Sequence, residues 1–240
     1  MTYACPGCGI ITFSQAAIPI FIGGAMTYPS VPLSLKVWGD FACFTRPEMK
    51  VERVSYPVMT PSAARGVLEA VFWKPEFRWQ VQEIRVLQPI RYTSILRNEI
   101  NSRQSDRAAR SWQAEGAGGY DATTDRAQRH TLGLRDVAYI IAAHVVLQPH
   151  ADADPAKYRD QFRRRVRDGR CFATPFLGCR EFSASFAEPD GSEQPIELSN
   201  ELGPMLLDLT YEPGTSGRGV PRFFNARIER GVLRVPQEGA

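Results

Sequence analysis

The sequence predicts an α+β fold, in which a β-α-β-β-α-β unit of ferredoxin-like arrangement is followed by a small antiparallel β subdomain. Two proline-initiated helix starts, Thr60-Pro61 and Asp154-Pro155, separate runs of alternating apolar and polar residues that are typical of strands. The chain has 240 residues, 43% of them apolar and 23% charged, which is enough for a sizeable core. This composition excludes a disordered polymer, a collagen-like repeat and a disulfide-stabilised miniprotein.

The first half of the chain predicts a strand, a helix and a second strand. Residues 33–38 alternate apolar and polar side chains, as in a strand with one buried face. A helix begins at Thr60-Pro61, with Thr60 as the N-cap, and ends before Pro75. The second strand runs from Phe77 to Val86, and its alternation changes phase near Gln82-Glu83, which predicts a β-bulge. The apolar stripe of the helix consists of Ala64, Val67, Leu68, Val71 and Phe72.

The second half supplies the remaining elements of the unit. Residues 98–133 are polar and glycine-rich and predict a long, mobile insertion. Residues 137–147 are rich in Val and Ile and predict a largely buried strand. A second helix starts at Asp154-Pro155 and ends at Gly169, and a strand follows around residues 179–186. The resulting order is the ferredoxin-like one that RNA-recognition domains also use. The apolar row of the second helix consists of Tyr158, Phe162 and Val166.

Composition divides the chain into three parts. Residues 1–30 carry no charged side chain, so we expect an N-terminal extension and a natural translation start at Met26. Residues 31–186 form the predicted ferredoxin-like domain, with the insertion at about 98–133. Residues 187–240 begin with an acidic linker and form the predicted C-terminal β subdomain, whose last hairpin turns at Arg230-Gly231.

The apolar N-terminal run and the cysteines bear on the cellular location of the protein and on metal binding. The apolar run at residues 10–26 is interrupted by polar residues, proline and glycine, and no positive segment precedes it. We therefore expect no membrane association and a cytoplasmic protein. Five cysteines in a chain of this size indicate free thiols in a reducing compartment. Cys5 and Cys8 form a C-x-x-C pair, but a zinc ribbon needs a second pair at suitable spacing, so no metal site is predicted.

The strongest local signal is the positive charge of the second helix. The formal net charge of the whole chain is only +3, but residues 157–170 contain seven basic and two acidic side chains. Such a density suits a phosphate backbone. The helix N-terminus also attracts anions, and Lys157 stands in its first turn, where a cation is unfavourable without a nearby negative charge. The alternative interpretation is a solvated helix face without a ligand.

Familiar catalytic motifs are absent from the sequence. It contains no phosphate-binding loop, dinucleotide-binding fingerprint, nucleophile elbow or H-E-x-x-H motif, and no carboxylate cluster that indicates a two-metal nuclease. His144 has the same strand parity as Ile140 and Ala142, so it is either a structural or a catalytic histidine. His130 and His150 are expected in solvated loops.

Six segments of the chain, in this order, resemble the CRISPR-associated Cas-five family of RAMP proteins, in its type I-C (Dvulg) form. The resemblance runs from about Leu33 to the C-terminus and leaves residues 1–30 outside. The segments are VWGDFACFTRPE at 37–48, SYPVMTPSAARG at 55–66, VFWKP at 71–75, EIRVLQPI at 83–90, DPAKY at 154–158 and PFLGCREF at 175–182.

The resemblance implies a RAMP fold, in which a ferredoxin-like domain carries a C-terminal β subdomain, and it implies an activity. Members of the type I-C form cut the CRISPR repeat transcript without a metal or other cofactor. They then stay on the 5′ handle of the guide RNA (crRNA), beside the backbone and large subunits of the surveillance complex. In this chemistry a 2′-hydroxyl attacks the adjacent phosphate, which needs a base, an acid and a cation for the developing charge.

The family's catalytic positions are only partly kept in this chain. A tyrosine at the end of the first helix is replaced by Phe72, and a Lys-His pair that opens the second helix reads Lys157-Tyr158. We therefore take Lys157, Tyr158 and His144 as candidate catalytic residues. The candidate RNA-binding residues are Lys74, Arg159, Arg163, Arg164, Arg167 and Arg170.

The sequence is compatible with three functions. The first is a repeat-specific endoribonuclease that remains bound to its product. The second, suggested by Phe72 and Tyr158, is a non-catalytic subunit that binds guide RNA and supports assembly. The third is a protein that binds or cuts double-stranded DNA with the same basic surface.

Overall fold

The computed structural model describes residues 20–22, 25–27, 31–211 and 219–237. The chain divides into two compact units, Met1–Val31 and Pro32–Ala240. The elements, in chain order, are β1 (Ile20–Ile22), β2 (Ala25–Thr27), β3 (Leu33–Ala42), β4 (Arg53–Val54), α1 (Pro61–Val71), β5 (Phe77–Val86), β6 (Tyr92–Ile100), α2 (Asp106–Glu115), β7 (Arg126–Leu147), α3 (Pro155–Arg167), β8 (Ser185–Ala187), β9 (Asn200–Thr210), β10 (Val220–Glu229) and β11 (Val232–Arg234).

The first unit contains an antiparallel pair, β1 with β2, in which Phe21 lies opposite Met26. The expected translation start at Met26 falls within this pair. That start stays a prediction, as does the assignment of residues 1–30 as an extension. The Cys5-Cys8 pair lies outside the described residues.

In the second unit, the described strands β3 to β11 form one sheet with the main path β8-β3-β7-β5-β11-β10-β9. Its first four positions hold the fourth, first, third and second strands of the β-α-β-β-α-β order, and these neighbours are antiparallel. This is the ferredoxin-like arrangement, so the predicted fold class is confirmed. Helices α1 and α3 contact β5 and β7, respectively, and each other.

Local capping explains why the two helices lie where the sequence predicts them. The Thr60 hydroxyl accepts a hydrogen bond from the Ala63 N–H at 3.3 Å, and the Asp154 carboxylate accepts one from the Ala156 N–H at 2.7 Å. Each helix has proline at its first position. After α3, Gly169 adopts a φ of +64°, which ends the helix where predicted.

The predicted bulge in the second strand of the unit is also confirmed. The register of β5 against β7 shifts between Val81 and Glu83, so that Gln82 has no opposite residue. This shift lets the strand keep both Val81 and Ile84 in the core, although the two residues have opposite parity.

Residues 98–133 contain regular structure where their polar composition predicted a mobile insertion. Strand β6 pairs with the first part of β7 from Tyr92↔Leu134 to Ile100↔Arg126, and α2 lies between the two strands in the sequence. The strand predicted at residues 137–147 is therefore the second half of a strand of 22 residues. The sequence did not predict these strands, because their residues lack the apolar alternation of a half-buried strand, although exposed and half-buried side chains alternate along β6. The insertion at about 98–133 stays a prediction.

The strand predicted around residues 179–186 is shorter than expected. Only Ser185–Ala187 pairs with β3, and Phe176 forms an isolated bridge with Ser183. Between them, the Phe182 N–H donates to the Cys179 carbonyl at 3.0 Å, which closes a turn. Gly178, just before this turn, has a φ of +85°, a region that most residues with a side chain avoid.

The C-terminal hairpin forms as predicted and turns at Arg230-Gly231. It extends the sheet of the preceding domain, because β11 pairs with β5 through Leu233↔Ile84. In the part of the chain that the structure describes, no helix is both long and apolar enough to cross a bilayer.

Candidate nucleic-acid interface

Helix α3 has one buried and one cationic face. Tyr158, Phe162 and Val166 are buried, as their spacing predicts. We call the exposed basic side chains on and just after this helix the basic face. They are Lys157, Arg163, Arg164, Arg167 and Arg170. Of the other two predicted RNA-binding residues, Lys74 follows the end of α1 and Arg159 lies on α3, and both are half-buried.

Much of the charge on the basic face is available for a ligand. Arg163 pairs with Asp160 at 3.4 Å and Arg167 with Asp168 at 3.5 Å, and exposed pairs of this kind contribute little to stability. Among the described residues, Lys157, Arg164 and Arg170 have no ion-pair partner. The face can therefore contact phosphates without losing strong internal interactions.

The N-terminus of α3 differs in one respect from the expectation. The Asp154 carboxylate caps the helix, so a negative charge already lies at this helix end. Lys157 in the first turn does not require an external anion to be tolerated there. What favours a phosphate at Lys157 is its exposure beside the rest of the basic face.

The two altered family positions meet in an aromatic cluster between the helices. The ring centroid of Phe77 lies 5.3 Å from that of Phe72 and 5.2 Å from that of Tyr158. Trp79 extends the cluster, packing edge-on against Phe77 and against Phe162 at 4.8 Å. Phe72 and Tyr158 are 86 positions apart in the sequence, and the resemblance placed them in one site. In the structure both contact Phe77.

Tyr158 belongs to the core. Its side chain is 1% exposed, and its hydroxyl has no hydrogen-bond partner among the described residues. Burial, together with the charges of Glu76 and Asp152, raises its pKa above the ordinary value near 10. The hydroxyl is therefore poorly suited to proton transfer at neutral pH. The Nζ atom of Lys157 lies over this ring, 5.7 Å from its centroid.

Phe72 is equally buried, and Arg165 of α3 covers it. The guanidinium of Arg165 lies 5.3 Å from the Phe72 ring centroid and donates to the Val71 carbonyl at 3.3 Å. Arg165 thus ties α3 to the end of α1 by a cation–π contact and a helix-terminal hydrogen bond. Unlike its exposed neighbours, this arginine has a structural role.

His144 and the aromatic cluster lie on different faces of the sheet. His144 lies on β7 opposite Gln80, whereas Phe77 lies opposite Leu147. Because strand side chains alternate, His144 occupies the opposite sheet face from the Phe77 ring that Tyr158 contacts. Burial and the positive charge of Arg159 lower the pKa of His144, which favours the neutral imidazole. A catalytic role for His144 stays a prediction.

Glu76 is a residue of this region that the sequence analysis missed. Its Oε2 atom is buried without a hydrogen-bond partner in the described part of the chain, and it directly precedes the core residue Phe77. A charged residue at the entrance of a buried strand was the signal available in the sequence. Over the same residues, no group of three or more His, Cys, Asp and Glu is arranged to hold a metal ion.

We expect Tyr158→Phe to leave the fold intact and to raise the free energy of unfolding by about 1 kcal/mol or leave it unchanged, because it removes a buried hydroxyl without a partner. Urea unfolding measures this. If RNA cleavage by the variant falls by more than tenfold while stability is kept, the hydroxyl has a catalytic role that its burial does not suggest.

The comparison with known proteins decides the family. The family model described as "CRISPR-associated protein (Cas_Cas5)" matches residues 33–236. This chain belongs to the Cas5 family. Residues 1–32 precede the matched region, and the match includes helices α1 to α3, the basic face and the aromatic cluster. The family resemblance inferred from the six sequence segments, including its type I-C form, is confirmed.

Two curated relatives are similar to this Cas5 protein over nearly their whole length. The CRISPR pre-crRNA endoribonuclease Cas5d of Thermus thermophilus is 48% identical over 221 residues, which cover 86% of this chain and 92% of the relative. The enzyme of the same name from Mannheimia succiniciproducens is 44% identical over 218 residues, covering 85% of this chain and 94% of the relative.

Solved structures support the fold. A crystal structure of a CRISPR-associated protein superposes with a TM-score of 0.63 at 23% identity, covering 89% of this chain and 96% of the other. A functionally uncharacterised protein from Streptococcus mutans gives 0.61 at 20% identity, with coverages of 87% and 93%.

Proposed function

We propose that this Cas5 protein is an endoribonuclease that cuts the repeats of CRISPR precursor RNA. The observation that carries the proposal is the 44–48% identity to two pre-crRNA endoribonucleases over more than nine-tenths of their length. The basic face of α3 supports it, because several exposed cations along one helix suit a polyanionic substrate. Such transcripts are made in the cytoplasm, which is therefore the location we propose.

The chemistry that fits the residues present is attack of a 2′-hydroxyl on the adjacent phosphate without a metal ion. Lys157 is the family catalytic position that this chain keeps, and its ammonium is exposed at the start of α3. There it stabilises the charge that develops on the phosphate oxygens more than the charge of the ground state. Phe72 and Tyr158 are buried and contribute packing, so the proton transfers fall to the RNA, to solvent or to a group beyond this pair.

After cleavage, we propose that the protein stays on the 5′ handle of the guide RNA in the type I-C surveillance complex. The basic face holds the RNA, and the backbone and large subunits of that complex are the protein partners. Double-stranded DNA is a further possible ligand of the same face, since a phosphate backbone is recognised by charge before sequence.

A second function is favoured by one observation, the burial of Phe72 and Tyr158 at two of the three family catalytic positions. With neither side chain able to reach an RNA phosphate, the chain would bind guide RNA and support assembly without cutting it. Both functions share the same binding surface and differ only in turnover.

An end-labelled repeat hairpin incubated with the protein in EDTA separates these functions. A single cut that leaves a 2′,3′-cyclic phosphate supports the endoribonuclease. Tight binding without a cut supports the assembly subunit. Cleavage of duplex DNA that appears only with added divalent metal indicates a DNA nuclease and contradicts the proposal.

The basic face gives a prediction for binding. Replacing Arg163, Arg164 and Arg167 with alanine should weaken repeat-RNA affinity and reduce the slope of log affinity against log salt by about 2, because fewer counterions are released. A matched control replaces Arg227, Arg230 and Arg234, three exposed arginines of the C-terminal hairpin. If both triple variants reduce the slope equally, the basic face contributes no more to RNA binding than any other surface arginines do.

A further inference from the structure

Two cysteines that are far apart in the sequence share one polar cluster. Cys43 follows β3, and Cys179 lies in the turn before β8, 136 positions later. The Cys179 thiol lies 3.6 Å from the Cys43 carbonyl oxygen, and the Thr45 hydroxyl lies 3.4 Å from the sulfur of Cys43 and 4.0 Å from that of Cys179. Both cysteines are free thiols in the structure.

The backbones that carry these cysteines are in direct contact. The Cys43 N–H donates to the Leu177 carbonyl at 3.0 Å. A Cβ atom added to Gly178 would lie only 2.1 Å from the Cys43 carbonyl oxygen. Glycine is therefore required next to Cys179 for the two segments to approach this closely. A disulfide needs main chains that lie close together, and these two segments are in direct contact.

A cation lies against one of the two sulfurs. The Arg53 guanidinium donates to the Cys179 sulfur at 3.3 Å and is held in place by Glu181 at 3.4 Å and Glu99 at 3.6 Å. Positive charge and hydrogen bonds of this kind stabilise a thiolate, which is the nucleophilic form of cysteine. The sulfur of Cys43 lies deeper, and its residue is fully buried.

The surroundings of the two thiols shift their pKa values in opposite directions, in agreement with this geometry. The hydrogen bond from Cys43 and the charge of Arg53 outweigh burial and lower the pKa of Cys179 to about 6. The shared hydrogen bond and burial raise the pKa of Cys43 far above its ordinary value. At neutral pH one sulfur is therefore poised to attack and the other keeps its proton.

We propose that Cys179 and Cys43 form an oxidation-sensitive pair, in which a hydroperoxide oxidises the Cys179 sulfur and Cys43 then closes a disulfide. In the first step the Cys179 thiolate attacks a peroxide oxygen, the O–O bond breaks, and a proton from solvent completes the leaving water or alcohol. The product is a sulfenic acid. In the second step the protonated Cys43 thiol attacks the oxidised sulfur and passes its proton to the sulfenic oxygen, the S–O bond breaks, and water leaves. The two thiols lose two electrons, and the hydroperoxide is reduced.

This assignment reverses the order of reactivity that exposure alone predicts. Cys171 is an exposed thiol, whereas Cys179 is only 9% exposed. If access governed oxidation, Cys171 would react first. If the thiolate environment governs it, Cys179 reacts first and its product is a bond to Cys43.

The test treats the full chain with one equivalent of hydrogen peroxide, alkylates the remaining thiols under denaturing conditions and identifies cysteine peptides by mass spectrometry. We expect a linked peptide pair that contains Cys43 and Cys179, with Cys171 still largely alkylated. Recovery of both Cys43 and Cys179 as free thiols, at a dose that oxidises Cys171, would overturn the proposal.

Two variants separate the steps. Cys43→Ser should leave a sulfenic acid on Cys179 that dimedone traps, and Arg53→Gln should slow the oxidation of Cys179 about tenfold relative to Cys171 in the same sample. An unchanged Cys179 rate in a folded Arg53→Gln protein would contradict the role of the cation. If either variant fails to fold, the wild-type peptide map decides the proposal.

Discussion

Replacing Lys157 by alanine should lower the single-turnover rate of repeat-RNA cleavage by on the order of 10²–10³, the scale for losing one electrostatic stabiliser of a transition state. The reason is its position: Lys157 is exposed in the first turn of α3, with its Nζ directed over the ring of Tyr158 and its charge unpaired among the described residues. Its cation can contact a phosphate while the rest of the basic face holds the backbone. Affinity for the RNA should therefore fall much less than the rate.

A matched variant controls for the loss of any lysine. Lys50 is exposed in the turn between β3 and β4, apart from α3, and Lys50→Ala should cut at the wild-type rate. Rapid-quench measurement with enzyme in excess gives the cleavage step directly. If Lys157→Ala cuts as fast as wild type, the phosphate is stabilised elsewhere, and His144 is the next residue to replace.

Replacing Phe77 by alanine should reduce the free energy of unfolding by about 3–5 kcal/mol, the usual cost of removing a buried aromatic ring. Phe77 is 2% exposed and contacts Phe72, Trp79 and Tyr158, so its ring joins α1, β5 and α3. The cavity would lie beside Tyr158, and the first turn of α3, which carries Lys157, would lose part of its support. Cleavage should therefore fall even at temperatures where the variant stays folded.

The control for this variant uses the same substitution at the surface. Phe172 is 72% exposed, and Phe172→Ala should change the free energy of unfolding by less than about 0.5 kcal/mol. Urea unfolding followed by fluorescence compares the two. A cost below about 1 kcal/mol for Phe77→Ala would show that the aromatic cluster does not hold α3 to the sheet.

The elements that the sequence predicted correctly are those fixed by local chemistry. Thr60-Pro61 and Asp154-Pro155 determine the starts of α1 and α3 through caps within three residues, and the phase change at Gln82 marks the bulge. The ribbon of β6 and β7 was missed, because its pairing joins residues up to 42 positions apart, such as Tyr92 and Leu134, and its residues lack apolar alternation. Such pairings depend on contacts that no short sequence window contains.

For the site, two signals in the sequence disagreed over Tyr158. Its helical spacing with Phe162 and Val166 predicted a buried residue, whereas its place beside Lys157 suggested catalysis. The structure buries the side chain, in agreement with the spacing. The contacts of Phe72 with Phe77 and of Arg53 with Cys179 were beyond prediction, because each depends on how separate segments meet in the folded chain.

The most direct test of the proposed chemistry changes one atom of the substrate. Once the cut position in the repeat RNA is mapped, a substrate with a single 2′-deoxy nucleotide on the 5′ side of that bond is compared with the all-ribose RNA in EDTA. If the 2′-hydroxyl is the nucleophile, the modified RNA should bind with unchanged affinity and not be cut, while the all-ribose RNA gives one cut with a 2′,3′-cyclic phosphate. Cleavage of the modified RNA at the same bond, or a requirement of the all-ribose RNA for divalent metal, would contradict the account.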